Sequence, residues 1–416
     1  MGTGETGRTV IVGAGLAGLR IAERLRRLGH GGPITLVGAE PHRPYDRPPL
    51  SKALLTRDED PADDPAQAAP LRNAPYEELG LDLRTGVRAT ALDPRARTVA
   101  LDDGGTVGYG RLVIATGLRP RMLPGFEGRG GVHVLRSFED CLALRAGLRA
   151  ARRVVVVGGG VLGCEIAAAA RALGAEVALV EVLGAPMAAA LGPEVGEAVA
   201  ALHRDRGVAV HCPARVARPE GGRRVTGVAL EDGTVLPADL VVVAAGAVPD
   251  TGWLEGAGLN LDDGVLCDRT GRASARDVWA AGDVARMPRP SGPGTVRLEH
   301  WTAAADTAAL VAGNLVAAPG ERHELSAVPY FWSDQHGVKI QCLGMPNHGD
   351  RLTVVTGAPE SARFLGLYSS GGTVTGAVAM NMPGPIARCR KAVGDRAPLD
   401  GLLRAAPWDR AAAKPG

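Results

Sequence analysis

Lysine is almost absent from this chain of 416 residues: of 47 basic side chains only Lys52, Lys339, Lys391 and Lys414 are lysines. Cysteine is thin as well. The six cysteines, at 141, 164, 212, 267, 342 and 389, never come closer than 23 positions, which excludes a CxxC redox pair and the spacing of a zinc site. Aromatic residues number only 14, so a cluster of them stands out. No apolar run approaches the roughly 18 residues of a membrane span, and the start MGTGETGRTV lacks the basic and hydrophobic regions of a signal peptide. A cytoplasmic protein without a membrane partner is the expectation. MGTGET fits a myristoylation pattern, although so short a match often arises by chance. Charge of one sign is missing too: a formal +2 gives no reason to expect nucleic acid as a partner. The length exceeds one ordinary core, which predicts two or three domains. Heavy use of Ala, Gly and Arg fits a gene of high G+C content and a bacterial source.

What is present is one unit written twice. TVIVGAGLAG, from Thr9, is a β-branched run feeding a GxGxxG turn at Gly13, Gly15 and Gly18; LAGLRIAERLRRLG continues at helical period and ITLVG resumes a strand. In such a βαβ unit the first glycine permits the tight turn, the second lets backbone approach a pyrophosphate, and the third allows close helix-to-strand packing. Glu40, 22 residues beyond Gly18, stands where an acid can accept hydrogen bonds from a ribose. The unit recurs from Arg153 to Glu181, with Gly158, Gly160 and Gly163 in the turn and Glu181 closing the second strand. A solvated strand end is the bland alternative for either acid, but their matching positions argue for two dinucleotide sites. Positions 182–202 contain no Lys or Arg to meet a 2′-phosphate, so NADH is expected over NADPH at the second.

A second site demands a second cofactor, and the remaining sequence points to a flavin. LVIATG, ending at Thr116 and Gly117, reads as a buried strand, with a counterpart in LVVVAAG ending at Gly246. VWAAGDVA puts Asp283 after Gly282 at a strand end, where the carboxylate could hydrogen-bond a ribityl hydroxyl or simply close a turn. RPYDRPPLSK holds Pro48 and Pro49, which fix the local backbone, between Arg47, suited to a bidentate phosphate contact, and Lys52, a compact point charge.

The ordered set GAGLAG, RPPLSK, ATG, GGGVLGCE, AAGD and LEHW resembles the FAD-dependent NADH:ferredoxin reductases of the putidaredoxin reductase and oxygenase-coupled type, over nearly the whole chain. The resemblance implies an α/β, glutathione-reductase-like flavoprotein with two dinucleotide-binding domains and a C-terminal α+β interface domain. It divides the chain into an FAD-binding domain at 1–117 and 247–324, an NAD-binding domain at 118–246, and an interface domain at 325–416. It implies FAD contacts from Ala17 and the surrounding glycines, Glu40, Arg47, Lys52, the Ala89 backbone, Arg136, Asp283 and Trp301, and NADH contacts from Gly160, Leu162, Gly163, Glu165 and Glu181. The activity implied is hydride transfer from NADH to FAD and single-electron delivery to a small iron-sulfur ferredoxin serving a cytochrome P450 or other oxygenase. Rubredoxin or an aromatic-ring dioxygenase ferredoxin are alternative acceptors. An apoptosis-inducing-factor-like FAD/NADH-binding signalling protein is a further one.

Catalytic work is expected of Lys52 and Glu165. Glu165 opens the helix after the second glycine turn, where it either complements the helix dipole or pairs with Lys52 near the nicotinamide. Trp332, in the aromatic run Tyr330-Phe331-Trp332, is core by composition and near the flavin by resemblance. The helix after Trp301 departs from the pattern: nothing from Leu298 to Glu321 is Lys or Arg, leaving Arg388, Arg390 and Lys391 as a docking patch or a plain solvated cluster. Cys164 reads as a packing residue rather than a redox thiol, and residues 56–70 read as a solvated loop.

Overall fold

The computed structural model describes residues 7–290, 292–347 and 349–409; the MGTGET start lies outside them. The chain divides into two compact units. One comprises Met1–Arg47, Pro61–Arg119 and Ala247–Ala327, the other Pro48–Asp60, Pro120–Gly246 and Val328–Gly416.

Each unit is built on a five-stranded parallel sheet. In the first unit the spatial order is Val278–Ala280, Arg111–Ile114, Thr9–Val12, Ile34–Gly38, Leu81–Thr85. The Thr9–Val12 and Ile34–Gly38 strands are buried throughout, as parallel strands covered on both faces must be. The helix Leu16–Arg27 turns Ala17, Ile21, Ala22 and Leu25 into a core shared with Ala304, Ala308, Val311 and Leu315 of the helix Trp301–Val316. Its last turn carries Arg24, Arg26 and Arg27, which complement the negative end of the helix dipole.

The second unit repeats the arrangement in the order Val208–His211, Glu176–Val180, Arg153–Val157, Leu240–Val243, Val132–His133, with the helix Val161–Ala172 following the central strand. It also contains a five-stranded antiparallel sheet, Tyr330–Gln335, Val338–Gly344, Thr373–Met380, Arg363–Ser370 and Arg351–Ala358 in spatial order, with the helix Pro383–Gly394 packed on it through Ile386, Cys389 and Val393. This is the α+β portion that follows the two dinucleotide folds.

Residues 56–70 are less of a free loop than their acidic, proline-containing composition suggests. Asp58, Glu59 and Asp60 are exposed, but Pro65 and Ala69 are buried, and the carbonyls of Arg57 and Glu59 accept from the buried Arg145 at 2.9 and 2.8 Å. An arginine distant in sequence ties the loop down, which local composition does not reveal.

Candidate functional site

At the first glycine turn backbone is packed against backbone. A Cβ added at Gly13, whose φ is +118°, would stand 2.1 Å from the Ala115 carbonyl oxygen, and one at Gly18 would stand 1.9 Å from that of Gly13. Gly15 differs: a Cβ there meets nothing within 4 Å. The outer glycines are therefore required by the fold, while the middle one opens onto space at the N-terminus of the helix Leu16–Arg27, where backbone N–H groups can meet an anion. That cradle fits a dinucleotide pyrophosphate.

Around it, Glu40 accepts from Arg47 Nη2 at 2.6 Å and from the Tyr45 hydroxyl at 2.5 Å, and the Arg47 guanidinium lies 5.2 Å from the Tyr45 ring centroid. The acid and the base assigned to ribose and phosphate thus hold each other in place. Gly282, at φ +74°, would bring a Cβ within 2.9 Å of the Ala17 Cβ, and its N–H donates to Thr307 Oγ1 at 3.0 Å. Asp283 follows it in a short 3-10 turn. Thr116 Oγ1 donates to the Asp250 carbonyl at 2.8 Å, Gly117 accepts from Asp250 N–H, and Trp301 Nε1 donates to Asp46 Oδ1 at 2.7 Å. Ala89, itself buried, opens the strand Ala89–Asp93 of the same unit. Arg136 belongs instead to the second unit, where its N–H donates to Asp140 beside the Ser137 helix cap.

The second glycine turn reproduces the first. Added Cβ atoms at Gly158 and Gly163 would lie 2.3 Å from the Ala244 oxygen and 1.9 Å from the Gly158 oxygen, whereas Gly160 faces open space. Glu181 is buried, its carboxylate receiving the N–H groups of Gly159 at 2.6 Å and Leu183 at 2.8 Å. It is thus a fixed negative end to the strand rather than a solvated one. Gly246 has φ +90° and open space beside it, and Leu162 is half-buried in the helix's first turn. This cradle also fits a dinucleotide.

Lys52 and Glu165, 113 residues apart, meet in the second unit at 2.7 Å, the lysine side chain 23% exposed and the glutamate 3%. A carboxylate so buried needs several donors to offset lost hydration. It has them: Ser51 Oγ at 2.5 Å shares Oε2 with the lysine, and Ser333 Oγ at 2.7 Å reaches Oε1. Neither serine carries a sequence pattern that marks it; alternation along Tyr330–Gln335 is the one available clue, because it turns Ser333 and Gln335 inward while Trp332 lies on the other face, stacked on Tyr330 at 6.0 Å.

The remaining candidates are occupied within their own unit. Arg388 donates to the Trp408 carbonyl, Arg390 lies over the Tyr330 ring, and Lys391 pairs with Asp395. The Cys164 Sγ lies 3.3 Å from the Gly159 carbonyl, and burial pushes its thiol far up; burial also raises Cys141 to about 11. Among the described residues no group of His, Cys, Asp and Glu is arranged to hold a metal ion, and no helix is long and apolar enough to cross a membrane.

Residues 7–308 match the family described as pyridine nucleotide-disulphide oxidoreductase, and residues 330–407 match the reductase C-terminal family. The chain is 38% identical over 390 residues to the anthranilate 1,2-dioxygenase system ferredoxin–NAD(+) reductase component of Burkholderia cepacia, covering 92% of this chain and 93% of that one. It is 36% identical over 399 residues to the p-cumate 2,3-dioxygenase system ferredoxin–NAD(+) reductase component of Pseudomonas putida, covering 95% of each. Among solved structures, the covalent putidaredoxin reductase–putidaredoxin complex matches with a TM-score of 0.88 at 32% identity, over 97% of this chain and 99% of that one. With two glycine-turn units and a C-terminal α+β portion matched over almost its whole length, the chain belongs to the pyridine nucleotide-disulphide oxidoreductase family, in its ferredoxin–NAD(+) reductase branch.

Proposed function

We propose that this protein takes hydride from NADH onto FAD and passes single electrons to a small iron-sulfur ferredoxin that serves an oxygenase. The observation that carries it is the pairing of two dinucleotide cradles with six free cysteines whose thiols are all pushed up by burial. The cysteines are spread at least 23 positions apart, and Cys164, beside the second cradle, is buried, which pushes its thiol far up. Electrons therefore leave without a disulfide relay. Bound FAD supplies a group that accepts two electrons together and returns them singly, as an iron-sulfur acceptor requires.

The chain's own residues prepare that exchange. The turns at Gly13–Gly18 and Gly158–Gly163 hold the two pyrophosphates, Arg47 and Glu40 fix the FAD end of the first, and Asp283 and Trp301 line the ring side. Glu181, with no basic residue through position 202, selects NADH by disfavouring a 2′-phosphate. Lys52 and Glu165 are the catalytic pair, the carboxylate orienting the nicotinamide and the ammonium balancing its charge. Trp332 faces the acceptor side, and the protein works in the cytoplasm.

Anaerobic titration of the yellow protein should bleach the flavin with NADH and much less readily with NADPH, and cytochrome c reduction by NADH should depend on added ferredoxin. In stopped flow, Glu165→Ala should slow flavin reduction by one to two orders of magnitude, roughly the worth of one transition-state contact. A colourless protein, or slow NADH oxidation indifferent to ferredoxin, would overturn the assignment.

A further inference from the structure

A cavity of about 610 Å³ opens in the second unit along the outer face of the helix Val161–Ala172. Its apolar floor is made of alanine methyls, Ala53, Ala168, Ala169 and Ala172, and its rim of Lys52, Arg171, Arg206 and His336. The two acids that reach it are already neutralised: Glu165 by Lys52 at 2.7 Å and Asp334 by Lys339 at 2.9 Å. The two arginines are not. Arg171 directs Nε and Nη1 to the carbonyls of Arg206 and Ala175, at 2.9 and 3.3 Å, and among the described residues neither Arg171 nor Arg206 pairs with a carboxylate. The cavity therefore joins uncompensated positive charge to an apolar floor.

His336 shows that this charge is felt. Burial together with His203, Arg206 and Arg171 holds its pKa down at about 4. It occupies the two-residue turn between the strands Tyr330–Gln335 and Val338–Gly344 at φ +51°, a position that Asn fills with less strain. The fold would be as well served by asparagine, so the imidazole at the rim is not there for the turn. Behind it runs a hydrogen-bonded chain. Gln335 Nε2 donates to Ser333 Oγ at 2.9 Å, and Ser333 donates to Glu165 at 2.7 Å. The Gln335 oxygen thus accepts from His203 Nε2 at 3.0 Å, which leaves His203 Nδ1 to accept from His336 Nε2 at 3.2 Å. The second ring nitrogen of neutral His336 is then an unprotonated acceptor.

We propose that this cavity is a binding site for a small organic carboxylate, clasped by Arg206, Arg171 and His336 with its apolar body on the alanine floor. A guanidinium takes a carboxylate in a two-point contact, and His336, neutral while the cavity is empty, adds a third by taking up a proton as the anion offsets Arg171 and Arg206. Inorganic phosphate offers the same charge but nothing to cover the methyl floor. An occupant would also compete with Glu165 for Lys52 and pull on the chain that ends at Ser333, so occupancy modulates the reaction with NADH. That influence rests on the role proposed for Glu165; the binding itself does not.

The test is calorimetric titration of the FAD-loaded protein with benzoate and, separately, inorganic phosphate, with saturating NAD+ present. Benzoate should bind with a Kd below about 1 mM. Phosphate should bind at least tenfold more weakly. Arg206→Gln, at an exposed position, and His336→Asn, which suits the turn, should each weaken benzoate at least tenfold while leaving the flavin spectrum and the melting temperature at pH 7 in place. The His336 ring signals should titrate at higher pH when benzoate is bound, because the anion offsets Arg171 and Arg206. Glu165→Gln should keep benzoate binding even where NADH no longer reduces the flavin, which separates the two readings. No binding, equal binding of phosphate, indifference to both substitutions, or displacement by NAD+ would overturn the site.

Discussion

Lys52 concentrates the residue-scale argument. Its ammonium shares one carboxylate oxygen of Glu165 with the Ser51 hydroxyl, so the group there must be compact. A guanidinium is planar and broad and cannot approach that oxygen without displacing Ser51. Lys52→Arg should therefore retain FAD yet slow flavin reduction by NADH about tenfold, roughly 1.4 kcal/mol of barrier, in stopped flow; an unchanged rate would deny lysine a special role. The sequence makes Lys52 conspicuous through its rarity and Glu165 through its place after a glycine turn. Ser51 and Ser333 were illegible, because a hydroxyl that completes a buried carboxylate is selected by three-dimensional proximity across 168 residues. The histidine pair was illegible for the same reason. His203 and His336 are held neutral chiefly by burial, so their folded pKa values lie below the ordinary 6.5, His336 at about 4. The unfolded chain then binds more protons than the folded one as pH falls from 6.5 towards 4, and stability is lost across that window. His336→Asn should flatten the profile, by on the order of 1 kcal/mol between pH 7 and pH 5 in urea unfolding.

At the scale of elements, the glycine turns were the most legible feature because their spacing encodes backbone distances directly. Gly18 and Gly163 each put a missing Cβ 1.9 Å from a carbonyl oxygen, while Gly15 and Gly160 face open space. Alanine should separate the two requirements. Gly18→Ala or Gly163→Ala forces the helix off its strand and should cost several kcal/mol, seen as lost expression or a much lower melting temperature. Gly15→Ala should fold normally but lose FAD, and Gly160→Ala should fold, keep FAD and bind NADH at least tenfold more weakly. Equal destabilisation by all four would remove the ligand role of the middle glycines. The antiparallel sheet after residue 330 was less legible. Its strands read only as an aromatic run and an α+β remainder, because five strands paired through neighbours such as Val338–Gly344 and Thr373–Met380, far apart in sequence, leave no fixed motif.

For the whole molecule, the sequence could not show that Pro48–Asp60 leaves one compact unit for the other, since membership is decided by what the segment touches. It did show the charge balance, and that balance bears on the partner. With 47 basic and 45 acidic side chains the net field is weak. The basic cluster most suited to docking is also committed, Arg388 to a carbonyl, Arg390 to the Tyr330 ring and Lys391 to Asp395. The helix from Trp301 to Val316 adds no cation and exposes Val316. Long-range steering of an acidic ferredoxin should therefore be slight, with contact made through apolar and neutral polar surface. Ferredoxin-dependent cytochrome c reduction should fall less than about tenfold between low salt and about 0.5 M salt, where exposed charges are screened beyond a few ångströms. The triple variant Arg388→Ala, Arg390→Ala, Lys391→Ala should share the wild-type salt profile. A steep fall in the wild type, abolished in that variant, would instead make the cluster the docking patch and break its internal contacts when the partner arrives.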